Sequence, residues 1–268
     1  MSVEDVMTPL AVSAANGGVE EPSAYTSVER REAADINAVG KYEPKFTENC
    51  IPADVLAKLL PGDDVIELEM PVVGGNLAYR FVKRAFDVVS CSCALTILAI
   101  PMGVIALKIK SESPGPVIFA QRRVGKGGRI FNVYKFRSMY IDAEARGARW
   151  ALGDDPRVTP FGKVMRKTRM DEIPQFWNVV KGDMTLIGPR PERPAFCAEF
   201  EKRIHGWHYR TMVTPGLSGL AQVRGGYDLL PKEKVALDLE YIERRSIAID
   251  LKIILKTLGV VSTGEGAR

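Results

Sequence analysis

The chain has 268 residues, 46% of them hydrophobic, and a formal net charge of +4, which is enough apolar material for one large or two small packed domains. The charge is uneven: residues 1–76 carry five Lys or Arg against fourteen Asp or Glu, whereas the remainder carries 32 against 19, a basic working region behind an acidic leader. A basic surface suits anionic lipid, nucleotide phosphate or nucleic acid, but Cys50, Cys91, Cys93 and Cys197 have no Cys-x-x-Cys spacing, so neither a zinc site nor a disulfide framework is favoured and a reducing, cytoplasmic setting fits.

Glu4 and Asp5 stand where a signal peptide would be basic, and no apolar stretch follows, so the chain is expected to start in the cytoplasm. Residues 1–76 are rich in Glu, Ala, Ser and Gly and poor in aromatics. They read as a mobile leader or a small regulatory or oligomerising element, with one short helix over Pro52 to Leu60 capped by Asp54.

Residues 77–112 read as a membrane unit. No residue from Val88 to Leu107 is charged, and 20 helical residues span about 30 Å, one hydrocarbon thickness. Pro101 removes a backbone donor and should bend the helix. Both flanks are basic, with Arg80, Lys83 and Arg84 before the run and Lys108, Lys110, Arg122 and Arg123 after it. A re-entrant helix-break-helix keeps both ends on the cytoplasmic face; a Pro-kinked spanning helix and a buried core helix are the alternatives.

Ser113-Pro114-Gly115-Pro116 ends this unit as a turn, and Val117 to Phe119 and Ile130 to Tyr134 read as strands around the glycine-rich Val124 to Gly128. That turn matches no phosphate-binding glycine pattern and is expected to close a hairpin. Near the C-terminus Leu251, Ile254, Leu255 and Leu258 recur at helical spacing with Lys252 and Lys256 on another face. That helix either packs on the core or lies on a membrane. The elements together predict a mainly α chain with a few short strands (α+β).

The residues able to do chemistry centre on Asp171-Glu172. Pro174 is comfortable in a first helical turn, so a helix is expected from about Ile173, with Ile173, Phe176, Trp177 and Val180 as its apolar face and Gly182 as its stop. Either carboxylate could simply cap that helix, worth about 1 kcal/mol. The surroundings add a second reading: Arg166, Lys167 and Arg169 precede the pair, Lys181 follows, and Arg190 sits between Pro189 and Pro191. Cations of this kind keep a carboxylate ionised and receive phosphate oxygens, as a carboxylate nucleophile attacking phosphorus requires. Adjacent carboxylates project differently, so distinct roles are expected, with Mg²⁺ and fixed Arg or Lys offsetting repulsion from a diphosphate.

Other constellations are weaker. His205 and His208 lack an H-E-x-x-H pattern, no G-x-S-x-G elbow is present, and Asp154-Asp155-Pro156 reads as a turn before it reads as a metal ligand.

Lys83-Arg84-Ala85-Phe86-Asp87, Ser113-Pro114-Gly115-Pro116, Lys135-Phe136-Arg137-Ser138-Met139, Asp155-Pro156-Arg157-Val158-Thr159, Arg166-Lys167-Thr168, Asp171-Glu172-Ile173-Pro174-Gln175, Gly182-Asp183-Met184, Gly188-Pro189-Arg190-Pro191 and Thr214-Pro215-Gly216-Leu217-Ser218-Gly219 occur in this order. From about Lys83 to Ala267 the chain resembles the bacterial sugar transferases, monotopic polyprenyl-phosphate hexose-1-phosphate transferases. The resemblance implies that Asp171 attacks the β-phosphate of a UDP-sugar and expels UMP. It then holds the sugar phosphate until a polyprenyl phosphate, usually undecaprenyl phosphate, takes it. Glu172 would assist, with Mg²⁺ at Asp171 and Glu172, while Lys135, Arg137, Arg166 and Arg190 would hold phosphate or nucleotide. Lys83, Arg84 and Asp87 would anchor a re-entrant membrane helix bent at Pro101, where Ile100-Pro101 replaces the family's frequent Ser-Pro.

The resemblance further implies a monotopic protein of the bacterial inner membrane, with residues 113–268 as a cytoplasmic catalytic domain carrying amphipathic membrane-surface helices. Its partners would be the UDP-sugar, the polyprenyl phosphate and membrane lipids, with no nucleic acid; a homodimer is left open. The process implied is initiation of exopolysaccharide, capsule or O-antigen assembly. A non-catalytic membrane scaffold and a nucleotide-sugar pyrophosphohydrolase are the competing classes.

Overall fold

The computed structural model describes residues 51–141, 143, 155–225 and 229–263. Residues 1–50 of the expected leader, Cys50, Asp154 and Tyr227-Asp228 lie outside the described residues.

Residues 51–76 are packed against the domain, unlike the mobile leader expected for them. Helix α1, Ala53–Leu59, starts from Pro52, whose carbonyl accepts from Val55 and Leu56 N–H. Asp54 is therefore not the cap; it lies in the first turn, where its charge complements the helix dipole. Leu56, Leu59 and Leu60 meet Phe196, Phe200, Ile204, Trp207 and Val235 in one hydrophobic cluster. Beyond it, β1 (Ile66–Glu67) pairs in parallel with β5 (Ile204–His205), and Arg203 donates to the carbonyl of Gly62 at 2.5 Å.

Helix α2, Leu77–Ile97, opens with Asn76 accepting from Tyr79 N–H at 2.8 Å. It is followed after Leu98 by α3, Ala99–Glu112, and the two axes differ by 60°. Proline accounts for the position of the break: Pro101 has no N–H to give to the carbonyl four residues back, Ile97, and its ring crowds that carbonyl. Among the described residues no single helix is long and apolar enough to cross a membrane, but this bent pair meets the length and composition of a broken span or a re-entrant loop. Ile97, Ile100, Val104 and Leu107 are exposed along it, whereas Ile105 and Ile109 pack on Phe136 and Met165.

The hairpin forms as expected but with longer strands, β2 (Ile118–Val124) and β3 (Ile130–Phe136), antiparallel with Ile118 opposite Phe136 and Val124 opposite Ile130. Gly127 and Gly128 take positive φ at its turn, a conformation other residues adopt at a cost. Helix α4, Pro160–Lys167, is capped by Thr159 accepting from Gly162 N–H at 3.0 Å. Helix α5, Gln175–Lys181, ends at Gly182 with φ 93°, as its sequence predicts.

β4 (Thr185–Ile187) and β6 (Gly216–Ser218) form a short parallel pair. The remaining elements are α6 (Pro194–Arg203), a 3₁₀ turn over Trp207–Met212, α7 (Leu220–Gly225), α8 (Pro231–Arg244) and α9 (Ile247–Thr263). The described chain is thus mainly helical with few short strands. In α9, Ile253 is buried and Ile254 of the expected stripe packs on the same core cluster, while Leu251, Leu255 and Leu258 are exposed, so the stripe packs on the core only in part.

Candidate active site

The acidic pair does not sit at the N-terminus of a regular helix. Met170–Glu172 forms a 3₁₀ turn, and α5 starts only at Gln175 with Pro174 at its cap position and no side-chain cap. Capping is therefore not the role of either carboxylate. The turn begins at Arg169, the sole non-glycine residue with positive φ (57°) among those described; such a conformation costs about 1 kcal/mol and is found where a site over-determines it. The expected apolar face is seen in part: Ile173, Phe176 and Val180 pack on core clusters, but Trp177 is exposed and Gln175, Asn178 and Val179 are the residues fully buried.

Asn178 bolts α5 to the hairpin, accepting from Tyr134 N–H at 3.0 Å and donating to the Asn132 carbonyl at 2.7 Å. That register places Lys135 of β3 beside the acidic turn. Lys135 Nζ donates to Glu172 Oε1 at 2.8 Å, and Arg190 Nη2 bonds the same oxygen. Arg190 Nη1 also donates to the Leu217 carbonyl of β6 at 2.9 Å.

The two carboxylates consequently differ. Burial opposes ionisation of Glu172, yet Arg190 and Lys135 override it and hold its carboxyl well below the usual range. Asp171, only 8% exposed, is shifted the other way: burial raises its pKa, the Glu172 charge adds to that, and Lys135, Arg166 and Arg190 oppose it. Among the described residues no hydrogen bond reaches the Asp171 carboxylate, so it is the uncommitted anion of the pair.

Asp171, Glu172, Lys135, Arg166 and Arg190 line a cavity of about 1240 Å³ that is also lined by apolar Phe86, Phe119, Ile254 and Leu258. Arg166 is oriented by Ser138, its Nε donating to Oγ at 2.9 Å. Arg137 reaches the cavity wall, but its guanidinium is taken up by Ser113 and Pro114, donating to both carbonyls at 2.8 Å.

Lys83, Arg84 and Asp87 tie α2 to the domain. Lys83 Nζ lies 2.7 Å from Asp250 of α9, and Arg84 donates to the carbonyls of Val179 and Val180 at the end of α5. Asp87, fully buried, accepts from Thr185 Oγ1 at 2.5 Å and from Leu186 N–H at 3.2 Å.

Asp155 accepts from the N–H of Arg157 at 3.0 Å and pairs with its guanidinium, in keeping with a turn. His208 is bound to Glu201 through Nδ1 at 2.8 Å. Among the described residues no group of three or more His, Cys, Asp or Glu gathers into a metal site. Sequence reasoning missed the buried pairs behind Arg190, namely Arg210 with Asp238 and Glu192 with Arg123 and Lys234. Only the position of Glu192, next to Pro191, gave a local signal for them.

The profile of the bacterial sugar transferase family matches residues 78–264. A UDP-N-acetylgalactosamine-undecaprenyl-phosphate N-acetylgalactosaminephosphotransferase of Aeromonas hydrophila is 48% identical over 87% of this chain and 58% of its own length. Two proteins named UDP-glucose:undecaprenyl-phosphate glucose-1-phosphate transferase are each 40% identical: that of Escherichia coli over 71% of this chain and 41% of its own length, and that of Caulobacter vibrioides over 81% and 79%. The chain thus spans little more than half the length of several curated relatives it matches. With the profile covering most of the chain, including the acidic turn and the cationic residues around it, the protein belongs to the bacterial sugar transferase family.

Proposed function

We propose that the protein transfers a hexose- or N-acetylhexosamine-1-phosphate from a UDP-sugar to undecaprenyl phosphate at the bacterial inner membrane, starting lipid-linked polysaccharide assembly. The observation that carries this reading is the division of labour in the acidic turn. Glu172 is committed to Lys135 and Arg190, while the buried Asp171 carboxylate lines a large cavity rich in Arg and Lys and has no hydrogen bond among the described residues.

In the first step an Asp171 oxygen forms a bond to the β-phosphorus of the UDP-sugar, and the bond from that phosphorus to the bridging oxygen breaks. UMP leaves with the electron pair. In the second step an oxygen of undecaprenyl phosphate attacks the same phosphorus, the Asp171–phosphorus bond breaks, and the lipid-diphosphate-sugar departs with Asp171 regenerated. Lys135, Arg166 and Arg190 supply fixed positive charge for the phosphoryl oxygens.

The donor set fits Mg²⁺ in its usual mode, one or two carboxylates with substrate phosphate completing the shell. Asp171 and the Glu172 oxygen not taken by Lys135 and Arg190 would hold it, and the ion would offset the charge on the diphosphate. The bent α2–α3 pair serves this chemistry as a re-entrant anchor. Its basic flanks and exposed Ile97, Ile100, Val104 and Leu107 support that arrangement, as does the apolar wall of the cavity beside the charged one.

The test is UMP release from membranes containing the protein, over UDP-glucose, UDP-galactose and UDP-N-acetyl sugars, with and without undecaprenyl phosphate. Turnover that requires the lipid and disappears in Asp171→Asn is expected. Sustained UMP release without lipid would mean a hydrolase, and membrane binding without any UMP release a scaffold.

A further inference from the structure

The segment that carries Arg190 is fastened at every backbone carbonyl. Pro189 O accepts from Gly216 N–H at 2.9 Å, Arg190 O from Arg210 Nη2 at 2.9 Å, Pro191 O from Arg123 Nη1 at 2.9 Å, and Glu192 O from Val124 N–H at 2.9 Å. The two prolines have no N–H to give and fixed φ, so these four acceptors define the path of the segment. Gly216 and Gly188 pack backbone to backbone where the segment leaves β4, with no room for a Cβ on Gly216.

Two of these four donors are arginines: Arg123 also lines the cavity, whereas Arg210, which holds Arg190 itself, is buried and does not. Arg210 is 5% exposed, stacks over the Trp207 ring with Cζ 4.4 Å from its centre, and donates Nε and Nη2 to Asp238 Oδ2 at 2.8 and 2.6 Å. Asp238 is fully buried on α8. A chain of contacts therefore runs from Asp238 through Arg210 to the Arg190 backbone, and from the Arg190 side chain to Glu172, the neighbour of Asp171.

We propose that Arg210, fixed by Asp238, is a positioning residue for the reaction: it sets where the Arg190 guanidinium stands against Glu172 and against a phosphoryl group bound at Asp171. The inference rests on the phosphotransfer reading for its kinetic consequence, though not for its structural content. Lysine would keep the charge at position 210 but lacks the planar fork that serves Asp238 and the Arg190 carbonyl together.

Arg210→Lys is expected to lower kcat/KM about 10- to 100-fold, the size seen when a supporting shell is disturbed, chiefly through kcat. The decisive arm is a cycle with Arg190→Ala. A residue that acts through Arg190 has no further effect once that side chain is gone, whereas a general loss of structure multiplies the two defects. Because a lone apolar substitution would strand Asp238, the paired Arg210→Met/Asp238→Leu variant removes both charges in one step and retains the fold. It is expected to show the same loss.

A structure-only readout separates the two readings. In full-length protein labelled with ¹⁵N-arginine, the Arg190 Nε–H signal should become more mobile in Arg210→Lys, whether or not UMP is released. Absence of UMP release from the wild type with this mobility change present would overturn the phosphotransfer reading alone. An unchanged Arg190 signal, unchanged kcat/KM in a folded variant, or fully multiplicative defects in the cycle would overturn the positioning role.

Discussion

Arg84 Nη1 donates to the carbonyl of Val179 at 2.6 Å, so a residue at the base of the apolar helix pair caps the C-terminal end of the helix that follows the acidic turn. Its second amino group bonds Val180 O at 2.9 Å. Positive charge on the last carbonyls of a helix is favourable, and here it also joins two elements 95 positions apart. Arg84→Ala is expected to cost about 1–2 kcal/mol, two hydrogen bonds and a dipole contact. For a domain of this size that is a fall in Tm of roughly 2–8 °C, measurable by thermal unfolding in detergent.

Asp171→Asn should abolish turnover, by about 10⁴-fold or more if the carboxylate is the nucleophile. The same substitution should raise thermal stability at neutral pH. Burial lifts the Asp171 pKa in the fold above its ordinary 3.8, so the folded state binds this proton more tightly than the unfolded chain does. The group therefore penalises folding once the pH exceeds 3.8, and the full penalty is present above the folded pKa. Unfolding curves across pH should show the variant's advantage at pH 7–8 and its disappearance near pH 4; a variant less stable than wild type at pH 7 would contradict this.

Glu172→Gln should behave in the opposite sense. A folded pKa held below the unfolded 4.5 contributes stability that is present above pH 4.5 and lost as the pH falls through the folded value. Removing the charge also strands Lys135 and Arg190. A loss of about 2–3 kcal/mol at pH 7 is expected, narrowing in acid, with weaker UDP-sugar use because both cations lose their fixed orientation.

The bend at Leu98 makes a topological prediction. In a background without other cysteines, single cysteines replacing Arg80 and Lys110 should both react with a membrane-impermeant thiol reagent from the cytoplasmic side. Reaction from opposite sides would establish a crossing segment. Replacing Pro101 by Leu restores the N–H that the Ile97 carbonyl lacks, and should shift a fraction of molecules toward the crossing form.

Local chemistry was legible in the sequence where a residue type dictates a conformation. Gly182 stops α5, Gly127 and Gly128 turn the hairpin, and Pro101 marks a break, because each of these residues restricts or frees its own backbone. Asp171 and Glu172 were identifiable from their cationic neighbours. Their setting was not, since the 3₁₀ turn depends on a positive φ at Arg169 that no arginine signals. The Lys83–Asp250 and Arg210–Asp238 pairs were also hidden: their partners stand 167 and 28 positions apart, and only the fold brings them together. The contacts of Arg137 were hidden in the same way: it lines the cavity, but its guanidinium also donates to the Ser113 and Pro114 carbonyls, which its motif position does not signal.

The docking of residues 51–76 means that the unit which folds is larger than the unit the family profile covers. The family profile begins at residue 78, but Leu56, Leu59 and Leu60 pack with Phe196, Phe200 and Trp207, and β1 supplies the only strand neighbour of β5 among the described residues. A fragment trimmed to the recognised boundary would present bare aromatic surface and an open strand edge, an invitation to self-association. Expression trials should therefore begin at or before Ile51, and insolubility of a shorter fragment would reflect a missing lining on the domain's own core.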